Sequence, residues 1–214
     1  MRFKKSASLF VILSGIILGS AQPASAQFKL FLEPYAGWAL AGKSTLSQVP
    51  TDSDQGSFSG LGLGARAGIG ILGIVFVGAD LNYLPSLNVT PTDASVFESG
   101  AKVTRLGIVA GVNVPVVPLR FWLGYNFSDK LNNTPQTARS GIPAGTEVGL
   151  NGNGIKAGIG FTPLPLLSFN AEYIYSKYDS ITLNGVDTPL SAGTAGIINK
   201  VLLLSLSVPL SLGY

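Results

Sequence analysis

Seven ionisable side chains carry most of the chemistry this sequence could do: Glu33, Arg66, Asp80, Arg105, Arg120, Lys156 and Glu172. Each lies in a separate stretch that alternates apolar with small or polar residues, and each sits in the phase opposite the apolar set. If the apolar sets face lipid, these seven must face inward, because a charge on the lipid side costs about 2–4 kcal/mol at mid-bilayer. Lone ions inside would also be costly, so pairing is expected. Two outcomes follow from the residues: a salt-bridged network that plugs the interior, or a charged constriction lining a pore. Four cations (Arg66, Arg105, Arg120, Lys156) against three anions (Glu33, Asp80, Glu172) leave one positive charge over. Solvent, Asn82 or Tyr35 is expected to receive it.

Other chemistries are excluded or unsupported. Histidine is absent, which removes Ser-His-Asp triads, imidazole-ligated metals and imidazole acid-base steps. Cysteine is absent, so a disulfide scaffold is excluded. No Ser-Lys or Asp-Asp spacing stands out, and neither an enzyme, a metal site nor a cofactor is expected. Gly60-Leu-Gly-Leu-Gly-Ala brushes against a dinucleotide fingerprint, but no helix-periodic segment follows it. Three of the fourteen basic residues lie in the first five positions and all eleven acidic ones lie beyond residue 26, so the chain from Gln27 onward is neutral. No basic face argues for nucleic acid.

The segments that must position the seven charges read as eight strands. Their ranges are Phe28 to Ala41, Gly60 to Ile71, Ile74 to Leu84, Lys102 to Val114, Leu119 to Phe127, Gly154 to Phe161, Leu167 to Ser176 and Leu202 to Tyr214. The last is the most regular: Leu202, Leu204, Leu206, Val208, Leu210, Leu212 and Tyr214 alternate with Leu203, Ser205, Ser207, Pro209, Ser211 and Gly213. A strand apolar on its outer face, polar on the inner and ending in an aromatic is the signature of a transmembrane barrel. A soluble ligand-carrying barrel would show the inverse pattern, apolar inside. Leu72-Gly73, Pro115 to Pro118 and Thr162 to Leu166 read as tight turns; 43–59, 85–101, 129–153 and 179–199 read as long polar loops. Tyr83, Tyr125, Phe127, Tyr173 and Tyr175 fall toward the loop ends of their strands, and Phe121, Phe161, Phe169 and Tyr214 toward the turn ends. Two aromatic girdles are what two membrane interfaces select. In the last loop, Leu183, Val186 and Leu190, with Ile197 and Ile198 beyond, either form a contact patch or prolong the strands.

Arg2, Lys4 and Lys5, the apolar run Leu9 to Leu18 and Ala24-Ser25-Ala26 read as a cleaved signal peptide over 1–26, leaving a barrel domain over 27–214. Mass spectrometry of the envelope protein should find an N-terminus at Gln27; an intact Met1 species held in the inner membrane would refute the secretory reading.

The phrases LFLEPYAGWALAG near the start and LLLSLSVPLSLGY at the end resemble the small eight-stranded outer-membrane proteins of the OmpA transmembrane-domain and OmpX type. That resemblance implies an all-β, eight-stranded, antiparallel, up-and-down transmembrane barrel with both termini periplasmic. It implies an interior charge network, a monomer, outer-membrane lipid as surroundings and a barrel-assembly machinery as partner during biogenesis. By the same resemblance Leu210, Leu212 and Tyr214 act as a C-terminal assembly signal, although phenylalanine is the more usual last residue. The expected function is a non-catalytic surface barrel with a structural, envelope-integrity or adhesion role, and a surface ligand possible at its loops. A narrow pore for small solutes or ions is the alternative.

Overall fold

The computed structural model describes residues 28–47, 53–90, 99–138, 143–189 and 196–212. The strands are β1 (Phe28–Ser47), β2 (Ser53–Ile71), β3 (Val75–Thr90), β4 (Ala101–Asn113), β5 (Leu119–Asn133), β6 (Val148–Leu164), β7 (Leu167–Leu183), β8 (Val186–Pro189), β9 (Gly196–Ser207) and β10 (Leu210–Leu212). Every pairing among them is antiparallel, and β1 to β7 follow one another around the sheet. β9 pairs with both β7 and β1, so the ring closes. β9 and β10 are two halves of one wall strand, and β8 only folds back on the loop end of β7. The wall is therefore an eight-stranded up-and-down barrel. Closure pairs every wall strand on both sides, the condition a bilayer imposes on backbone polar groups.

The lipid-facing set is the one the alternation predicts. Leu61, Leu63, Val77, Leu81, Ile108, Leu123, Ile155, Ile159, Leu202, Leu204 and Leu206 all lie exposed on the outer wall. So do Tyr83, Tyr125, Phe127 and Tyr173 at one height and Phe121, Phe161 and Phe169 at the other. Val114, expected to end the fourth strand facing lipid, lies just past β4 in the turn.

Strand length departs from expectation. β1 has 20 residues and β2 has 19, and much of the segments expected as loops 43–59, 129–153 and 179–199 is strand. Of the apolar residues of the last loop, Ile197 packs inside the barrel, and Leu183 and Ile198 lie in the prolonged wall strands β7 and β9; Val186 is exposed on β8, and Leu190 lies outside the described residues. Each strand rising toward the long loops carries a one-residue irregularity: Ala39/Gly42 in β1, Leu84/Leu87 in β3, Asn126/Asp129 in β5 and Tyr178/Ser180 in β7. An extra residue on one strand of a pair inverts the side-chain phase beyond it. Simple parity therefore fails near the loop ends.

The turns explain the short connections. Leu72 and Gly73 both have positive φ (55° and 70°), and the Ile74 amide donates to the Ile71 carbonyl at 3.0 Å. Positive φ at both central residues gives this turn the twist of the flanking strands, within a three-residue connection from Ile71 to Val75.

The seam between the first and last wall strands holds one register on both sides of a break. Tyr35 pairs with Ser207 and Leu32 with Leu210, while Val208 and Pro209 fall between β9 and β10 opposite Pro34. Proline gives no ladder donor. The Val208 amide still donates to the Pro34 carbonyl at 3.0 Å and holds the gap shut. Amide exchange should be faster at 33–35 and 207–210 than in the middle of β5; equal protection would refute a weakened seam.

Candidate functional site in the barrel lumen

The lumen begins with the inward parity of each strand. Glu33 on β1, Arg66 on β2, Asp80 on β3, Arg105 on β4, Arg120 on β5, Lys156 on β6 and Glu172 on β7 are all buried. Pairing register puts Glu33, Arg66 and Asp80 side by side across three strands. From there the long side chains cross the barrel.

Arg66 is the hub. Its guanidinium pairs with Glu33 at 3.3 Å and with Asp80 at 3.1 Å, and donates to Glu172 from the far wall. The Arg66 plane also stacks on Tyr35, 4.7 Å from the ring centroid, and on Trp122 at 4.5 Å. Arg is suited to this work because its flat, weakly hydrated cation can pair at its edge and stack on its faces. Lys156 donates to Asp80 and lies 3.6 Å from Glu172, so both carboxylates are shared between two cations. Arg120 donates to Glu33 and, at 3.1 Å, to Asn170, while its guanidinium lies 5.1 Å from the Trp122 ring centroid. Ser207 also donates to Glu33, and Asn170 donates to Ser207 at 2.8 Å.

Arg105 stands apart from this group and is held by a residue absent from the expected set. Asp129 accepts from Arg105 Nε at 2.9 Å, from Tyr178 at 2.7 Å and from Ser176. Arg105 donates its next bond to Asn82 at 3.0 Å. The leftover cation is thus Arg105, and it does reach Asn82, but Asp129 neutralises it. Asp129 has outward parity when counted along the fifth strand. The bulge before it turns it inward, and it is fully buried.

Wall glycines make room for these side chains. A Cβ built on Gly158 would fall 2.2 Å from the Trp122 ring, and one on Gly64 would fall 2.2 Å from Tyr35. The two aromatic rings thus lie flat against bare backbone, with Arg66 stacked on them. Gly158→Val should push Trp122 off that wall and lower stability by about 1–3 kcal/mol, the usual cost of overpacking. An unchanged denaturation midpoint would refute the assignment.

Apolar groups fill the lumen beyond the ions. On the loop side, Phe58, Leu84, Leu87, Val103, Leu131, Leu150, Ile197 and Val201 form one buried cluster with Tyr178. On the turn side, Phe31 meets Phe76 edge-on at 5.6 Å, and Phe76 packs with Val109 and Trp122. A vestibule of about 320 Å³ opens there, lined by Lys29, Phe31, Phe76 and Asn113 and floored by Glu33 and Arg120. Of the expected assembly signal, Leu210 is exposed on the outer wall; Tyr214 and the Leu212 side chain lie outside the described residues.

A closed antiparallel ring, greasy outside and ionic within, defines a transmembrane β-barrel of the outer-membrane type. The sequence model for the outer membrane protein beta-barrel domain matches residues 11–201, and the chain belongs to that family, whose place is the bacterial outer membrane. Similar solved structures include Neisserial surface protein A, at 14% identity, covering 84% of this chain and 96% of that one with a TM-score of 0.46. Another is Ail, the attachment invasion locus protein of Yersinia pestis, at 11% identity, 84% and 98% coverage and a TM-score of 0.48. A third is the outer membrane protein OprG from Pseudomonas aeruginosa, at 12% identity, 86% and 96% coverage and a TM-score of 0.39. Among curated proteins none matches significantly.

Proposed function

We propose that this protein is a non-catalytic outer-membrane barrel whose lumen is closed, and that it serves as a rigid mount displaying four loops at the cell surface. Its role in this reading is structural or adhesive, exercised as a monomer, with any surface ligand met by the loops. The loop end faces outward and both termini face the periplasm. The barrel-assembly machinery reads Leu210, Leu212 and Tyr214 during insertion.

The observation that carries this reading is charge balance across the axis. With Asp129 included, the four lumen cations Arg66, Arg105, Arg120 and Lys156 meet four anions, Glu33, Asp80, Asp129 and Glu172; the Arg66–Glu172, Arg120–Glu33 and Lys156–Asp80 bonds cross the barrel, and the rest join neighbouring strands. Groups so paired present little free charge to a passing ion, and the apolar cluster on the loop side presents none. Eight strands enclose space for side chains or one small ligand and no more. Liposome swelling tests the closed lumen. Vesicles containing the refolded protein should shrink and recover in small sugars and amino acids at the rate of empty vesicles. Protein-dependent entry of any of these solutes would favour the pore.

A further inference from the structure

The vestibule at the turn end holds a cation that the lumen network leaves over. Lys29 has the inward phase of Glu33 on β1 and lies exposed at the mouth. Glu33 is four residues further along the strand, about 13 Å deeper at 3.3 Å per residue. Among the described residues Glu33 is the one acid in the lining, and Arg66, Arg120 and Ser207 already bond to it. The ions of the lumen network balance, four against four. Lys29 therefore adds a surplus positive charge to the vestibule.

At the floor, the Arg120 side chain is nine-tenths buried. Its bonds to Glu33 and Asn170 both leave from Nη2, and its Nε has no hydrogen-bond partner. A guanidinium suits the capture of a carboxylate because its planar fork matches the two oxygens. Above that floor the lining is largely apolar. Phe31 and Phe76 meet edge-on, and Val117, Pro118 and Pro209 complete the wall. Val116, Leu164 and Leu166 lie exposed on the turns that bring Val117 and Pro165 to the lining. A concave apolar pocket with a few converging polar groups is the form that small-molecule sites take.

We propose that the vestibule binds a small organic anion that joins one carboxylate to an apolar body. The carboxylate meets the guanidinium of Arg120 at the floor. The body lies between the Phe31–Phe76 pair and the prolines. Lys29 draws the anion in from the mouth, as charges at the entrance of a cleft do. One surplus positive charge suits a monoanion better than a phosphate monoester, which carries about −1.5 to −2. The site needs the vestibule alone: it stands whether or not the lumen conducts, and a nanodisc leaves both ends of the barrel open to solution.

Calorimetric titration of hydrocinnamate into the refolded protein in phosphatidylcholine nanodiscs, corrected with empty nanodiscs, tests the site. One molecule should bind per barrel. Hydrocinnamyl alcohol, which lacks the carboxylate, should bind about 10- to 100-fold more weakly, the worth of a charged hydrogen bond. Arg120→Gln should weaken the acid to the level of the alcohol. Lys29→Gln should weaken it severalfold at low ionic strength, and added salt should erase that difference, because an exposed charge is screened. Ser211→Trp fills the vestibule from β10 and should abolish binding. Arg120→Gln also disturbs the plug, so Lys29→Gln and Ser211→Trp carry the test if that variant misfolds. Lys130→Gln, exposed at the loop end of β5, should leave binding unchanged. The site would be overturned by no saturable heat from the unmutated protein, by undiminished binding in Ser211→Trp, or by equal affinity for the alcohol. Loss of binding in Lys130→Gln would overturn it as well. Tighter binding of phenethyl phosphate than of hydrocinnamate would overturn the assignment to carboxylates.

Discussion

Arg66→Ala should lower the unfolding free energy by about 3–5 kcal/mol, the range for removing one partner of a buried ion cluster. The loss is large because Arg66 holds three carboxylates, Glu33, Asp80 and Glu172, and all are buried. Without it, Arg120 and Lys156 must serve these three acids alone. Tyr35 and Trp122 also lose the cation stacked on them. Urea titration of the protein in detergent, followed by the change in gel mobility on unfolding, measures the effect. Arg120→Ala should cost less, because Arg120 borders the open vestibule and water can reach the Glu33 it leaves behind. Equal, small losses for both variants would mean that the lumen is wet and its ions weakly coupled.

The second large effect concerns the pair beyond the hub. Asp129→Ala leaves Arg105 buried with Asn82 as its remaining described hydrogen-bond partner, and a loss of about 3–5 kcal/mol is expected again. Removing both charges as Arg105→Met with Asp129→Leu should recover much of that loss, because an apolar pair of similar volume carries no desolvation cost. The double-mutant cycle therefore should show strong favourable coupling. Additive losses in the double variant would show that Arg105 and Asp129 act independently, contrary to their 2.9 Å contact.

Asp129 also shows where sequence reading stops. Inward parity found Glu33, Arg66, Asp80, Arg105, Arg120, Lys156 and Glu172 because each lies on a regular run whose period of two is unbroken. Asp129 follows a bulge, and alternation carries no mark of an inserted residue. Its strand also continues through Asp129-Lys-Leu-Asn-Asn, a polar stretch with the composition of a loop. The same inversion buries Leu131, which odd parity would have turned to lipid. The extended wall strands share this cause: polar residues on the outer face above the membrane give no greasy band to reveal them. Asn184-Gly185 is the strongest short hairpin pair, and it does turn β7 into β8 with φ of 48° and 82°. The lumen glycines could be read as space, but which side chain fills each space depends on contacts across the barrel. Trp122 against Gly158 is fixed by register between β5 and β6 and by nothing local in either segment.

Single-channel recording on the refolded, unmutated protein in a planar bilayer tests the closed lumen most directly. With four cations bonded to four anions in the lumen, three of the bonds crossing it, and an apolar cluster beyond them, the account predicts no resolved current steps in molar potassium chloride at moderate voltage. Arg66→Ala, with its network opened, is then the variant in which steps should first appear. Steady conductance with a preference for anions in the unmutated protein, left unaltered in size by Arg66→Ala, would contradict the plug and establish a pore.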